Sequence, residues 1–266
     1  GGALTGSGSN SNIAIGYQAL DSATTNAEKN VAIGNQAMDG AWSTADVDEC
    51  VSIGYQSMRG VLTAGATGSV AIGRSALAAL TSGARNLAVG YQSLDALTQA
   101  DDNLAIGYEA LTASANVNAA RNMAIGSYAL TTLNADGRDN IAIGTGALQT
   151  ANHADVDGNV AIGSHVLDHV GTAGVWACTG IGYNALTAVD NAGAAGSTAI
   201  GYSALGALTS GAGNVALGYG VAKLLTTGDK NIAIGFNALD AATGNESHNV
   251  MIGYDCDTSN ATAEMQ

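Results

Sequence analysis

The chain has no proline, one phenylalanine and two tryptophans among its 266 residues. Proline lacks a backbone N–H, so its absence suits a chain in which nearly every strand donates to a neighbour above or below. Aromatics make up only 5% of the residues, and the 47% hydrophobic share is mostly Ala, Val, Ile and Leu. That composition leaves little bulk for a wide globular core and suits a thin core of stacked small and branched side chains. Bases are also scarce, 8 against 22 acids, for a net charge of −14. This disfavours nucleic acid and anionic membrane surfaces as partners, since both need a basic footprint. It permits cations. No apolar run approaches the length of a membrane span, so no membrane insertion is expected.

Three cysteines, Cys50, Cys178 and Cys256, are too few and too far apart for a disulfide framework or a zinc site. The glycine spacing matches neither a dinucleotide fingerprint nor a phosphate loop. No paired carboxylates or Ser-His-Asp set stand out. Neither an enzyme nor a cofactor is expected.

What is present is one phrase, Asn12-Ile13-Ala14-Ile15-Gly16-Tyr17-Gln18-Ala19-Leu20, repeated along the chain. Anchored on its glycine, it recurs at Gly16, Gly34, Gly54, Gly73, Gly90, Gly107, Gly126, Gly144, Gly163, Gly182, Gly201, Gly218, Gly235 and Gly253, at spacings of 17 to 20 residues. Helical repeats need about 33 residues or more; this period falls with leucine-rich repeats and β-solenoids.

The columns of the repeat can be read one at a time. The residue one before the glycine is always Ile, Val or Leu, and the residue three before it is mostly apolar, as in Val31, Val51, Val70, Leu87, Leu104 and Met123. Alternation around a small central residue is strand periodicity, and β-branching agrees. The central residue is alanine in eleven repeats: Ala14, Ala32, Ala71, Ala88, Ala105, Ala124, Ala142, Ala161, Ala199, Ala216 and Ala233. If the branched residues fill the roll, alanine points the other way. A water-facing column would carry Thr, Lys or Ser instead. The expectation is therefore that the alanines form an oligomer interface, most simply in a trimer. The glycine requires either a positive φ or a close backbone approach.

Four before the glycine stands Asn12, Asn30, Asn86, Asn103, Asn122, Asn140, Asn159, Asn214, Asn231 or Asn249, with Cys50, Ser69, Cys178 and Ser197 in the other four repeats. This reads as a turn ladder of stacked side chains bonding one another and the turn backbone. The cysteines there read as small buried substitutes. One after the glycine, Tyr17, Tyr55, Tyr91, Tyr108, Tyr183, Tyr202, Tyr219 and Tyr254, with Phe236, form an aromatic ladder. It is either stacked packing or a glycan-binding stripe.

Polar connectors of variable length separate the repeats and carry most of the acids. Asp46, Asp48, Glu49, Asp155 and Asp157 are candidate calcium ligands, although no nonapeptide calcium repeat is present. The alternative is a solvated acidic face. Trp42 and Trp176 lie in otherwise polar connectors, where each either touches a ligand or covers its loop. His165 and His169, four apart, would suit a metal on a helix, but the His165 column reads as solvent-facing.

The unit Asn-x-Ala-Ile-Gly-x-x-Ala-Leu resembles the head repeats of trimeric autotransporter adhesins. It is more similar to the longer Asn-Thr-Ala-Ile-Gly-Tyr-Gln-Ala-Leu repeats of phage tail fibres. The resemblance covers Asn12 to Asp257 and implies a trimeric parallel β-roll with a role in surface attachment. It carries over no ligand-binding residues. The expectation is thus an all-β parallel β-solenoid of about fourteen coils over 12–257. Flanking it, 1–11 and 258–266 read as extensions or subunit junctions. The chain begins Gly1-Gly2 without an initiator Met or recognisable signal peptide, which reads as a processed chain or a segment of a longer one. The expected role is an extracellular trimeric fibre segment on a virion or cell surface, meeting a receptor or glycan. The alternative is a filament subunit stacking head to tail.

Overall fold

The structure is a computed structural model that describes residues 10–21, 27–40, 47–63, 65–112, 119–133, 136–151, 153, 156–170, 174–189 and 194–257. The chain divides into two compact units, Gly1–Arg138 and Asp139–Gln266. The first unit carries β1 (Ile13–Ile15), β2 (Val31–Ile33), β3 (Val51–Ile53), β4 (Val70–Ile72), β5 (Leu87–Val89), β6 (Leu104–Ile106) and β7 (Met123–Ile125). The second carries β8 (Ile141–Ile143), β9 (Val160–Ile162), β10 (Thr179–Ile181), β11 (Thr198–Ile200), β12 (Val215–Leu217), β13 (Ile232–Ile234) and β14 (Val250–Ile252). Each is the three-residue segment just before an anchor glycine. Successive strands within a unit pair parallel and in register, column on column: Ala14 with Ala32, and Ala142 with Ala161. The chain is an all-β parallel β-solenoid.

Backbone hydrogen bonds between coils extend well past the strands. Around the first two coils, Ile13 N–H donates to Asn30 O, Gly34 N–H to Ile15 O, Gln36 N–H to Tyr17 O and Leu20 N–H to Ala37 O, all at 2.8 to 2.9 Å. A proline in any of these columns would remove a rung, which accounts for its absence from the sequence.

The sidedness of the strands is the reverse of that expected. In the isolated chain Ala71 is fully buried, whereas Ile72 beside it is 37% exposed. Ala32, Ala88, Ala105, Ala124, Ala142, Ala161, Ala199, Ala216 and Ala233 are likewise buried by their own chain, and Ala14, in the first strand, is half-buried. The alanines therefore do not form an oligomer interface. They line the interior, and the branched columns on either side point outward. The cause is the width of the roll. Across from each alanine runs the segment three and four residues after the glycine, exemplified by Ala19 and Leu20, both fully buried. Coil 3 shows how close the two sides lie, because Ser52 Oγ is 2.6 Å from Ser57 Oγ across the core. Leucine or methionine at the second of these positions fills the space, so only a methyl group fits opposite.

That return segment is held by a backbone not evident from residue type. Non-glycine residues two and four after the glycine adopt left-handed φ: Gln18 at 51° and Leu20 at 55°, with Gln92 and Leu94 at 51° and 52°. The residue before the Asn column does the same, as at Lys29 (58°) and Asp102 (61°). A left-handed residue costs about 1–2 kcal/mol. Full burial of a leucine contributes about 1.5–3 kcal/mol, which offsets the leucine's own strain, while the other left-handed residues are held by N–H bonds between coils, as Gln36 N–H to Tyr17 O. The anchor glycines satisfy both requirements read from the sequence. Gly34 has φ of 137°, and a Cβ on it would sit 2.5 Å from the Gly54 carbonyl oxygen.

Candidate functional site

The Asn column is a buried ladder, as expected. Asn30 Oδ1 accepts from Cys50 N–H at 2.9 Å, while Asn30 Nδ2 donates to Val47 O at 2.7 Å. The same pair of bonds recurs at Asn86, where Oδ1 accepts from Asn103 N–H at 3.0 Å and Nδ2 donates to Ala100 O at 2.8 Å. At Asn159, Oδ1 accepts from Cys178 N–H and Nδ2 donates to Val175 O. Each asparagine thus ties the next coil's strand entry to a connector. Cysteine and serine preserve the donor half. Cys50 Sγ donates to Ala66 O at 2.9 Å, Cys178 Sγ to Ala194 O at 3.1 Å, and Ser69 Oγ to Gly83 O at 3.3 Å. Burial pushes the Cys50 thiol up to about 11 and also raises Cys178. These are packed thiols rather than nucleophiles. Cys256 follows its own column: its Sγ donates to Gly253 O, as Ser93 Oγ does to Gly90 O.

Outside, the aromatic column stacks. Tyr183, Tyr202, Tyr219, Phe236 and Tyr254 lie ring on ring at 4.9 to 5.5 Å, with interplanar angles of 7° to 14°. Tyr91 stacks on Tyr108 at 5.2 Å. Three irregularities of the sequence find a place in the ladder. Arg74 lies between Tyr55 and Tyr91, its guanidinium 5.5 and 5.6 Å from their centroids, a double cation–π contact. Tyr128, one position late, meets Tyr108 edge-on at 5.3 Å, and His165, also one late, meets Tyr183 edge-on at 6.3 Å. Stacking covers ring faces that a sugar would need, so the ladder reads as packing.

A second exterior ladder was missed in the sequence. The left-handed residue before the Asn column carries alternating charge in two runs, Lys29 to Glu49 and Arg85 to Asp139. Lys29 pairs with Glu49 at 3.2 Å, and Arg85 grips Asp102 through Nε at 2.6 Å and Nη2 at 2.9 Å. The Arg85 hydrogen bond holds the Asp102 carboxyl below the usual carboxylate range, with Arg121 on the next coil adding to it. The sign alternation Arg85, Asp102, Arg121, Asp139 at one residue per coil was the available signal. One position earlier, acids cap backbone of the preceding coil: Asp48 Oδ1 accepts from Glu28 N–H at 2.7 Å, Asp101 Oδ1 from Ala84 N–H at 2.8 Å, and Asp229 Oδ1 from Ala212 N–H at 2.8 Å.

These contacts bear on the calcium candidates. Asp48 and Glu49 are engaged by backbone and by Lys29, and Asp157 belongs to the second unit, beside Trp176 in a parallel bridge. Asp46 and Asp155 lie outside the described residues. Among the described residues, no three His, Cys, Asp or Glu side chains are grouped to hold a metal ion. Trp176 is 44% exposed, with its carbonyl accepting from Gly196 N–H at 3.1 Å. Trp42 lies outside the described residues. His165 and His169 turn their Nδ1 atoms to one carboxylate, Asp168, at 2.9 and 2.8 Å.

The outward branched columns form a stripe on the exterior. Ile13, Ile15, Ile72, Val215, Leu217, Ile232, Val250 and Ile252 are all exposed, and the aromatic ladder borders them. Comparison of the chain with protein families, curated proteins and solved structures finds no match.

Proposed function

We propose that this chain is a structural segment of an extracellular fibre, in which three copies pack side by side through the outward Ile, Val and Leu columns. The observation that carries this reading is the stripe. A sheet face in water would carry Thr, Lys or Ser through most of those positions; here Thr stands only at Thr179 and Thr198, and the Ile, Val and Leu side chains, exposed at some coils and half-buried at others, make an outward apolar face of the kind that marks an interaction site. Three copies, rather than two, follow the resemblance to tail-fibre and adhesin-head repeats. The connectors, variable in length and acidic, would remain outside the interface and present attachment surfaces to a host or other cell. The apolar stripe replaces the alanine column as the assembly surface.

Electron microscopy of the purified chain tests this. Discrete particles of three chains support the fibre segment. Indefinite fibres would support the second arrangement, subunits stacking head to tail. Monodisperse single chains at micromolar concentration would overturn both.

A further inference from the structure

An open groove of about 360 Å³ lies in the second unit, and none of the outward branched residues lines it. Its size is within the range of small-molecule sites, about 300–1,000 Å³. It exists because one column loses a side chain. Five residues after the glycine stand Thr187, Gly206 and Lys223 on three successive coils. With Gly206 contributing nothing, its neighbours in that column are two coil spacings apart, about 9.6 Å. Ala207 and Leu224 form an apolar wall, and Leu224 is 46% exposed.

The polar groups in the groove are available. The Asn184 amide and Ser203 hydroxyl have no side-chain partner among the described residues, and both line the groove. Elsewhere the same column is self-satisfied: Gln56 Nε2 donates to Gln36 Oε1 at 3.0 Å. Thr187 Oγ1 donates to His165 O, which leaves its oxygen free to accept. Lys223 Nζ lies 3.1 Å from Asp240 Oδ2, so its charge is matched while further N–H groups remain.

An apolar wall, a fringe of amide and hydroxyl groups and a neutralised ammonium suit a polyhydroxylated ring. The net charge of −14 opposes an anionic ligand, and Lys223 already has its counter-ion. We propose that this groove binds a neutral hexopyranose unit of a surface polysaccharide. The inference rests on the attachment reading and gives it a ligand class.

Saturation-transfer NMR on the full chain tests it, with the methyl glycosides of glucose, galactose, mannose and N-acetylglucosamine as probes. At least one should receive saturation, and methyl galacturonoside, its charged counterpart, should receive less. Gly206→Thr supplies the residue the column already holds at Thr187; its Cβ would lie 3.2 Å from Ser203 O, a tight contact that asks the backbone to give by a few tenths of an ångström. That variant should weaken binding by about five-fold or more because it fills the gap in the column, and Lys223→Ala by a similar factor, roughly one lost hydrogen bond. Thermal unfolding should not move. No transfer to any of the four sugars overturns the inference, as does transfer unchanged in a folded Gly206→Thr chain. Either result with a three-chain assembly intact leaves the fibre reading standing. A single chain that binds sugar would do the reverse.

Discussion

Val166 occupies the space that a methyl group on Gly180 would need, because a Cβ built at Gly180 would overlap Val166 Cγ1. Gly180 stands where eleven other coils carry alanine, and Val166 stands, one coil earlier, where most carry alanine or serine. A larger side chain on one wall is matched by a missing one on the other. Gly180→Ala alone should cost about 1–3 kcal/mol by overpacking, and Val166→Ala alone about 1–2 kcal/mol by opening a cavity. The double variant restores the common pair and should recover most of the loss. Urea unfolding in a double-mutant cycle measures the coupling. Strict additivity would show that the two walls do not touch.

The two kinds of left-handed glycine should respond differently to substitution. Gly107 has φ of 143°, and a Cβ on it would lie 2.5 Å from Gly126 O. Gly107→Ala should cost about 3 kcal/mol or more, from strained backbone and a carbonyl that cannot yield. Gly196 has φ of 68° and nothing within 4 Å of its would-be Cβ. Gly196→Asn should change stability by less than about 1 kcal/mol, since asparagine tolerates that conformation. Denaturant midpoints of the two variants give the comparison.

The Arg85–Asp102 pair gives the first unit an acid dependence. The folded carboxyl titrates below its ordinary value of 3.8, so its contribution is present above that pH and fades as pH falls through the lower folded value. Arg85→Ala should raise the Asp102 midpoint, as read by carbon-detected NMR of the side-chain carboxyl. High salt should also raise it, because the pair is exposed. An unmoved midpoint in Arg85→Ala would remove Arg85 as the cause.

Tyr108 should ionise late. The Glu109 carboxylate beside it favours the protonated phenol and pushes its pKa from 10 up to about 12. A raised folded pKa means that this stabilisation is complete below 10 and is lost as pH climbs through 12. Absorbance at the phenolate band should show a late-titrating tyrosine that moves toward 10 in Glu109→Gln. A titration curve identical in both proteins would assign the late step elsewhere.

The period, the strands, the buried Asn ladder and the strained glycine were legible in the sequence because each follows from local chemistry. Asparagine at a strand entry and glycine at a corner carry their reasons with them. Sidedness was not legible, because Val70-Ala71-Ile72 alternates equally well whichever face is inside. The choice depends on the width of the roll, set by Leu77 and its equivalents from across the core. A signal did exist: Ser52 with Ser57, and Gly180 with Val166, change together. The left-handed return was similarly marked by Gly146 and Gly220 in a column otherwise held mainly by Gln, Asn and Ser. The groove at Gly206 had no signature beyond one missing side chain, which acquires meaning only when three coils are stacked.

Sedimentation equilibrium reads whether copies of this chain meet through the outward apolar columns. The wild-type chain should run at roughly three times its 26.1 kDa mass at micromolar concentration. Ile72→Asp with Leu217→Asp, one exposed site in each unit, should reduce that to a single chain while the β-sheet circular dichroism is retained. A single-chain mass for the wild type, or an unchanged assembly in the double variant, would show that the outward columns are not where copies meet.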